Sequence, residues 1–513
     1  MRTIGEWTRL GAARHPARDA FVGVDGRVTF GEAAERAWAL ARGLREAGVG
    51  TGDTVGVLGG NTVFNAEVFL GVAISGGVYT AYNWRWAAEE LADGIRESGT
   101  ALLIAEDRFR PLLTEALALL EAHPETIVLP RVVEQGEVEH LRTVVGHYAD
   151  DVAPHDALCL IYTGGSTGTS KAVVLSHSAA TANAINEYLD LGIGAHPEER
   201  GLLVTPLFHS AGLLTWLVTH FIAGKTTVLV DKFSEDDFVE WVGRERATNS
   251  FMIPNMMRRL MQAGAFSVPE VQRHFKALHT GAGLLRMPNK REFIETMPEA
   301  KLYFRYGLSE AGPMVTRLRH EDMLDSAVDG SIGQEYTFVE SKLLSLDGDG
   351  REVGPGELGE ICVAGPSIMT GYHGRPEATA ETIVDGWLHT GDLATRDERG
   401  YYFFKDRLKE MIKSGGENVY CVEIEQVLYL HPAVLEAAVV GVDNEEWGEE
   451  VRAVVSFRDG QHADAAALAD HVREHLAGYK VPKQFAFLDA ADLPRSGAGK
   501  LVKARLKQQL GWG

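Results

Sequence analysis

The sequence predicts an α/β protein, with a large N-terminal domain of doubly wound α/β subdomains plus a small β-barrel, followed by a smaller α+β C-terminal domain. Three observations carry this. Up to about residue 330, apolar runs of strand length alternate with amphipathic stretches of helical length, the pattern of parallel sheets covered by helices. Beyond it, short segments punctuated by Gly and Pro signal a barrel or antiparallel sheet. After residue 406, short strands alternate with helices again. The 513 residues are enough for about three domains or large subdomains.

In chain order, residues 29–48 read as an amphipathic helix with an acidic first turn, stopped by the GVG at 48–50. A strand at 54–58 and a small-residue helix at 65–75, ending at Gly76 and Gly77, come next. Strands are expected at 102–105, 126–129 and 158–162, and again at 171–175, where the last two form a hairpin around a polar loop. The alternation resumes with strands at 201–204 and 227–230, a helix at 235–246, and a strand at 250–253 that stops at Pro254 and leads into a Met-rich helix. A short strand follows at 301–304, and the turn-rich region holds segments at 340–346, 359–363, 386–389 and 400–404. Helices at 422–430 and 464–476 belong to the C-terminal domain. The sequence shows no repeat or low-complexity linker, so the domains 1–405 and 406–513 should meet at a hinge of very few residues.

The apolar content of 45% and charged content of 24% describe an ordinary globular protein with ample core. A net charge of −22 argues against nucleic acid or an anionic membrane as a general partner. Cys159, Cys362 and Cys421 are far apart and lack C-x-x-C spacing, as expected of reduced thiols. With no apolar leader and no run near the ~20 residues of a membrane span, a cytoplasmic location is expected.

The richest segment is YTGGSTGTSKAVVLSH at 162–177. An apolar strand empties into a loop of glycines and hydroxyls that ends in Lys171, a composition suited to polyphosphate: glycine lets backbone N–H groups converge on anionic oxygens. Walker A is not met, because Ala172 follows the lysine. A rival lies in the same loop, since Gly164-Gly-Ser166-Thr-Gly168 satisfies G-x-S-x-G, the nucleophile elbow of serine hydrolases. An elbow leads into a helix, whereas 171–175 reads as a strand, which leaves the hydrolase as the distant alternative.

YGLSEAG at 306–312 follows a strand, where α/β proteins bind ligands; its aromatic ring can stack on a base and its carboxylate can hold Mg²⁺. Asp392 in TGD can accept two ribose hydroxyls. PRSGAGK at 494–500 is a glycine-rich hairpin tip projecting Lys500, and His209 follows another strand end.

The order and spacing of these motifs resemble the adenylate-forming superfamily of acyl-CoA synthetases, peptide-synthetase adenylation domains and luciferase, with the closest motif match to acyl-CoA synthetases. The resemblance runs nearly end to end, through Asp53, Asn83 and Arg85, the glycine-rich loop, PLFH at 206–209, GAG at 281–283, YGLSEAG, GELGE at 356–360, Gly371 and Tyr372, DGWLHTGD at 385–392, DRLKEMIKSGGENVY at 406–420 and PRSGAGK.

It implies a two-step reaction. A small-molecule carboxylic acid attacks the α-phosphate of ATP to give an acyl-adenylate and pyrophosphate, and a thiol, most often coenzyme A, then takes the acyl group. A separate acyl carrier protein or a non-thiol acceptor is the alternative. Thr163, Ser166, Thr167, Gly168 and Lys171 would bind the phosphates, and Thr167 with Glu310 would hold Mg²⁺. Tyr306 would stack on adenine beside Gly281, Ala282 and Gly283, with Gly307 and Ser309 also lining the nucleotide. Asp392 and Arg407 would hold the ribose. Lys500 would bridge the attacking carboxylate and the α-phosphate, with His209, Thr167 and Glu310 as the other catalytic groups. Lys413, Gly415, Gly416 and Asn418 would face the thiol arm, with the C-terminal domain mobile about a hinge at Asp406. The acyl pocket would include His209, Trp216, Met256, Met257, Gly283 and Arg305. A monomer or homodimer is expected.

The chain departs from the family pattern at several positions. Ser170 and Ala172 replace the proline and glycine that usually flank the loop lysine, and Ser309 replaces a threonine. Cys421 stands where proline is usual and reads as a packing residue. Arg305 replaces a glycine or small residue, and reads either as a structural surface residue or as a partner for a polar or anionic group on the substrate.

Overall fold

The computed structural model describes residues 1–129, 152–163, 170–283, 285–415, 417–495 and 501–512. It is an α/β molecule that divides into two compact units. One holds most of the chain up to Ser341 together with Val363–Leu388, and the other holds Lys342–Cys362 and the chain from His389 onward. Among the described residues no helix is long and apolar enough to cross a membrane.

Two large sheets form the first unit. The nine-stranded sheet has a parallel centre in the order Lys301–Gly307, Ala277–Gly281, Asn249–Met252, Arg200–Leu203, Thr226–Leu229 and Asp19–Gly23, with antiparallel strands added at both edges. In the seven-stranded sheet Val78–Ala81, Thr54–Leu58 and Leu102–Glu106 are parallel, and Ala157–Thr163 continues them. The strands Val78–Ala81, Thr54–Leu58 and Leu102–Glu106 are buried along their whole length, as strands covered on both faces must be.

Local chemistry agrees with these elements. The helix Phe30–Glu46 opens with a capping box, in which Glu32 N donates to Thr29 Oγ1 at 3.2 Å and Thr29 N donates to Glu32 Oε2 at 2.8 Å. Such caps are worth about 1 kcal/mol. The helix Val63–Ser75 is buried on every side and ends at Gly76 in the left-handed region, as its small-residue composition and double glycine suggest.

The turn-rich region forms a sheet in the strand order Glu340–Leu344, Gly359–Ala364, Trp387–Arg396 and Ile383–Val384, in which Ile383–Val384 and Tyr402–Arg407 both pair antiparallel to Trp387–Arg396. The sheet nearest the C-terminus is built on the long hairpin Val434–Asn444 and Gly448–Phe457. Its alternation sends Val439, Val451, Ala453 and Val455 into one core with Ile424 and Leu468, and Ala438, Val440, Val442 and Val454 into another with Leu506 and Trp512.

Candidate active site

Strands Ala157–Thr163 and Lys171–Ser176 pair antiparallel with Thr163 opposite Lys171, and Thr163 Oγ1 donates to Lys171 O at 3.3 Å. The glycine-rich loop therefore leaves and re-enters the sheet at one point. A strand follows it where a nucleophile elbow needs a helix, so the hydrolase geometry is not met. Ser166, Thr167 and Gly168 lie outside the described residues, as do Gly416 and Lys500.

The short strand Gly371–Tyr372 adds to the same edge, with Tyr372 opposite Val173. Lys171 Nζ lies 4.7 Å from the centroid of the Tyr372 ring, and the Tyr372 hydroxyl donates to Glu310 Oε1 at 3.1 Å. Burial pushes the phenol well above its usual range and the Glu310 carboxylate adds to this, so Tyr372 is a neutral donor. Glu310 sits in the 3-10 turn Ser309–Ala311, directly after strand Lys301–Gly307, and Met369 N and Ser367 Oγ donate to the Glu310 and Ala311 carbonyls, each at 2.9 Å. Ser309 Oγ lies 2.9 Å from Ser210 Oγ, beside His209. The structure thus gathers Lys171, Tyr372, Glu310, Ser309 and the His209 segment; Lys171, Tyr372, Glu310, Ser309 and His209 are half-buried and Ser210 is buried.

The segment before His209 is anchored by Asn61, whose Nδ2 donates to Thr205 O and Val230 O and whose Oδ1 accepts from Leu207 N at 3.0 Å. Phe208 meets Trp84 edge-on at 6.2 Å, and the Arg85 guanidinium caps Trp84 at 4.1 Å. Directly after Ser210, Ala211–Val218 is π-helical, a rare geometry found disproportionately at functional sites. Gly212 permits it, because a Cβ there would lie 2.4 Å from Pro206 O.

At Gly281 the strand Ala277–Gly281 ends against Arg305 O, which a Cβ would approach to 2.3 Å. Ala282 next to it has φ +60°, a left-handed conformation costing a non-glycine residue about 1–2 kcal/mol. Such strain persists where a site needs the backbone turned. Tyr306 and Gly307 lie within the strand rather than after it, because Met314–Leu318 pairs alongside and extends it past the expected end at 304.

Arg305 corrects an expectation. Its side chain and that of Glu187 have no solvent exposure, so the surface reading is wrong. Nη1 lies 3.0 Å from Glu187 Oε2, Nη2 donates to His279 Nδ1, and the guanidinium carbon stands 5.7 Å from the Trp216 and Phe251 ring centroids. Burial, reinforced by Arg305, drives His279 well below its usual range, which keeps it a neutral acceptor. Burial pushes Glu187 up while Arg305 pulls it back, and Tyr336 OH donates to it at 3.1 Å. Trp216 and Met257 are buried as well, whereas Met256 and His209 are half-buried and Gly283 is exposed.

In the second unit, Asp392 and Arg407 are register partners on paired strands, with Arg407 Nε 3.3 Å from Asp392 Oδ1. Glu360 holds the segment before Asp392: its Oε2 bonds His389 Nδ1 at 2.8 Å and its Oε1 accepts from Gly391 N at 2.9 Å. Thr390 Oγ1 donates to Ile361 O and accepts from Asp392 N. Asp406 is fully buried and accepts from Arg407 N at 2.8 Å and from Cys421 N. Burial pushes its carboxyl up to about 6, against the pull of Lys503. Cys421 is buried, its Sγ bonded to Glu410 O at 3.1 Å, in keeping with a packing role. Lys413 and Asn418 are cross-strand partners, exposed together with Gly415. On either side of residues 496–500, Arg495 forms a β-bridge with Leu501, and Val502 N donates to Pro494 O at 2.8 Å.

The residues present fit Mg²⁺ and a polyphosphate. Glu310 offers hard oxygen donors, and Lys171 supplies a cation against the same tyrosine. The sequence reading missed the roles of Tyr372, Glu187 and Glu360. Each acts through a partner remote in the chain, and only the motifs around Tyr372 and Glu360 hinted at them.

The family model described as AMP-binding enzyme matches residues 9–373, and that of its C-terminal domain matches 423–500. The chain is 36% identical to a feruloyl-CoA synthase of Amycolatopsis sp, covering 99% of both chains. It is 33% identical to a fatty acid–[acyl-carrier-protein] ligase of Streptomyces coeruleorubidus, covering 100% of this chain and 97% of that one. Among solved structures, the o-succinylbenzoate-CoA synthetase of Bacillus subtilis in complex with ATP and magnesium ion superposes with a TM-score of 0.85 at 29% identity, over 98% of this chain and 99% of that one.

Proposed function

Because this chain belongs to the AMP-binding enzyme family, we propose that it is an ATP-dependent acid–thiol ligase, an acyl-CoA synthetase working through an acyl-adenylate. The observation that carries the reading is the Lys171–Tyr372–Glu310 cluster, a cation and an oriented carboxylate beside a glycine-rich loop.

In this reading Lys171, with Thr163, Ser166, Thr167 and Gly168 of the loop, binds the β- and γ-phosphates. Glu310 and Thr167 would hold Mg²⁺, which when bound supplies neutralising charge to the polyphosphate. Tyr372 orients the Glu310 carboxylate through its hydroxyl. Tyr306 stacks on adenine, and Asp392, kept in register by Arg407 and Glu360, accepts the ribose hydroxyls. The acid's carboxylate oxygen forms a bond to the α-phosphorus as the bond to pyrophosphate breaks, and Lys500 meets the negative charge concentrated there. In the second step the sulfur of coenzyme A bonds to the acyl carbon and AMP leaves. Lys413, Gly415, Gly416 and Asn418 would line the approach of that thiol, with Asp406 as the hinge between 1–405 and 406–513.

One observation favours a second acceptor. The relative from Streptomyces coeruleorubidus is a ligase that delivers to an acyl carrier protein, so a separate carrier is the nearest alternative to coenzyme A. The test is pyrophosphate release over a panel of aliphatic, aromatic and amino-substituted acids, each with and without coenzyme A. ATP-dependent release whose turnover rises with coenzyme A is expected. Release indifferent to coenzyme A moves the acceptor to a carrier or a non-thiol, and no release with any acid refutes adenylation.

A further inference from the structure

The residues assigned to the acyl pocket fall into two groups. His209, Met256 and Gly283 are reachable from solvent, whereas Trp216 and Arg305 are each only 1% exposed. The register of the nine-stranded sheet explains the difference. Arg305 pairs with Gly281 and its neighbour Tyr303 with His279, so the side chains of His279, Tyr303 and Arg305 leave the same face of the sheet. Tyr303 stacks on His279 at 4.7 Å, and Trp216 of the π-helical segment meets His279 at 5.4 Å. The guanidinium is thereby boxed between Trp216, Phe251, His279 and Glu187.

We propose that the Glu187–Arg305–His279 cluster closes the far end of the acyl pocket and restricts the enzyme to compact acids, ring-bearing or short-chain, excluding extended alkyl chains. This rests on the pocket assignment in the proposed function. A lengthening alkyl chain would have to displace Arg305, and the guanidinium cannot swing away alone. Glu187 is wholly buried on the helix His177–Leu191, and its remaining partner is the neutral Tyr336 hydroxyl. Moving Arg305 would strand an uncompensated carboxylate, a larger penalty than a few buried methylenes recover. The charge of Arg305 is already met by Glu187, so the cluster acts as a wall rather than as a receptor for a second substrate carboxylate.

The experiment measures kcat/KM for pyrophosphate release by the full chain, with coenzyme A in excess, across linear acids from butanoate to hexadecanoate and across benzoate and cinnamate. Wild type should turn over the compact acids and fall steeply along the linear series. Glu187→Gln with Arg305→Ala removes the charge pair and opens the space; its preference for hexadecanoate over butanoate should rise by about tenfold or more. Glu187→Gln with Arg305→Met also removes the charges but keeps most of the volume, and should retain the wild-type order. Preference of the wild type for hexadecanoate overturns the inference and leaves adenylation standing, with no folded variant required. So does a folded Glu187→Gln, Arg305→Ala protein with an unchanged profile. Absence of pyrophosphate release with every acid overturns the underlying reading and the inference with it.

Discussion

Lys171, Tyr372 and Glu310 show how one neutral side chain can organise two charged ones. The Tyr372 ring faces the ammonium while its hydroxyl fixes the carboxylate. A hydrogen bond to a charged group is worth about 1.5–3 kcal/mol. Tyr372→Phe should therefore lower kcat/KM for ATP about tenfold or more and raise the Mg²⁺ concentration needed for half-maximal rate, while the ring contact to Lys171 persists. Steady-state kinetics under a magnesium titration checks this, and an unchanged magnesium requirement would separate Tyr372 from the Glu310 site. Lys171 and Glu310 were legible because each sits in a local motif. The Tyr372 contact was not, since 62 positions separate it from Glu310. Arg305 shows the same limit. Breaking a buried ion pair costs about 3–5 kcal/mol, so the Arg305 guanidinium stays where Glu187 holds it. The sequence marked Arg305 as unusual but could not reveal Glu187 on a helix more than a hundred positions earlier.

Among elements, every strand expected from the sequence is present, including the hairpin around the glycine-rich loop, because buried parallel strands are continuous apolar runs, but Asp19–Gly23, Val78–Ala81, Ala277–Gly281 and the hairpin Val434–Asn444 with Gly448–Phe457 were not foreseen. Strand Lys301–Gly307 ran longer than expected and Ala211–Val218 became π-helical, both through tertiary partners that no local window contains. One contact between elements carries a pH prediction. His177, first residue of the helix His177–Leu191, accepts from Ile4 N at 3.1 Å through Nδ1 and ties in the N-terminal helix. Burial lowers its pKa to about 4. The folded state then binds fewer protons than the unfolded state between about pH 6.5 and 4. This contribution to stability is present above pH 6.5 and fades as pH falls toward 4, by up to about 3 kcal/mol. Urea unfolding of wild type and His177→Gln should show their stability difference shrinking from pH 7 to pH 4. A constant difference would mean that His177 titrates in the fold as it does in the unfolded chain.

For the whole molecule, the two-step reaction poses a conflict under the proposed roles: Lys500 would serve adenylation, yet it would obstruct an arriving thiol. The proposed rotation of 406–513 about Asp406 resolves it by exchanging one face of the small domain for another. Lys500→Ala should abolish most adenylate formation, by about 10²–10³ in rate, and leave thioester formation from preformed acyl-adenylate largely intact. Single-turnover measurements of each half-reaction check this, and equal loss of both would sink the two-face arrangement.

The sequence by itself determined the α/β class, the alternating strands and helices, and the ordered motifs that mark an adenylate-forming enzyme, because these depend on local periodicity and on residues a few positions apart. Only the tertiary structure decided which charged groups meet. It brought Tyr372 to Glu310, Glu360 to the backbone before Asp392, and Glu187 to Arg305. The physical reason is that a buried charge is tolerated only where a partner is supplied, and the partner comes from whichever element the fold packs against it.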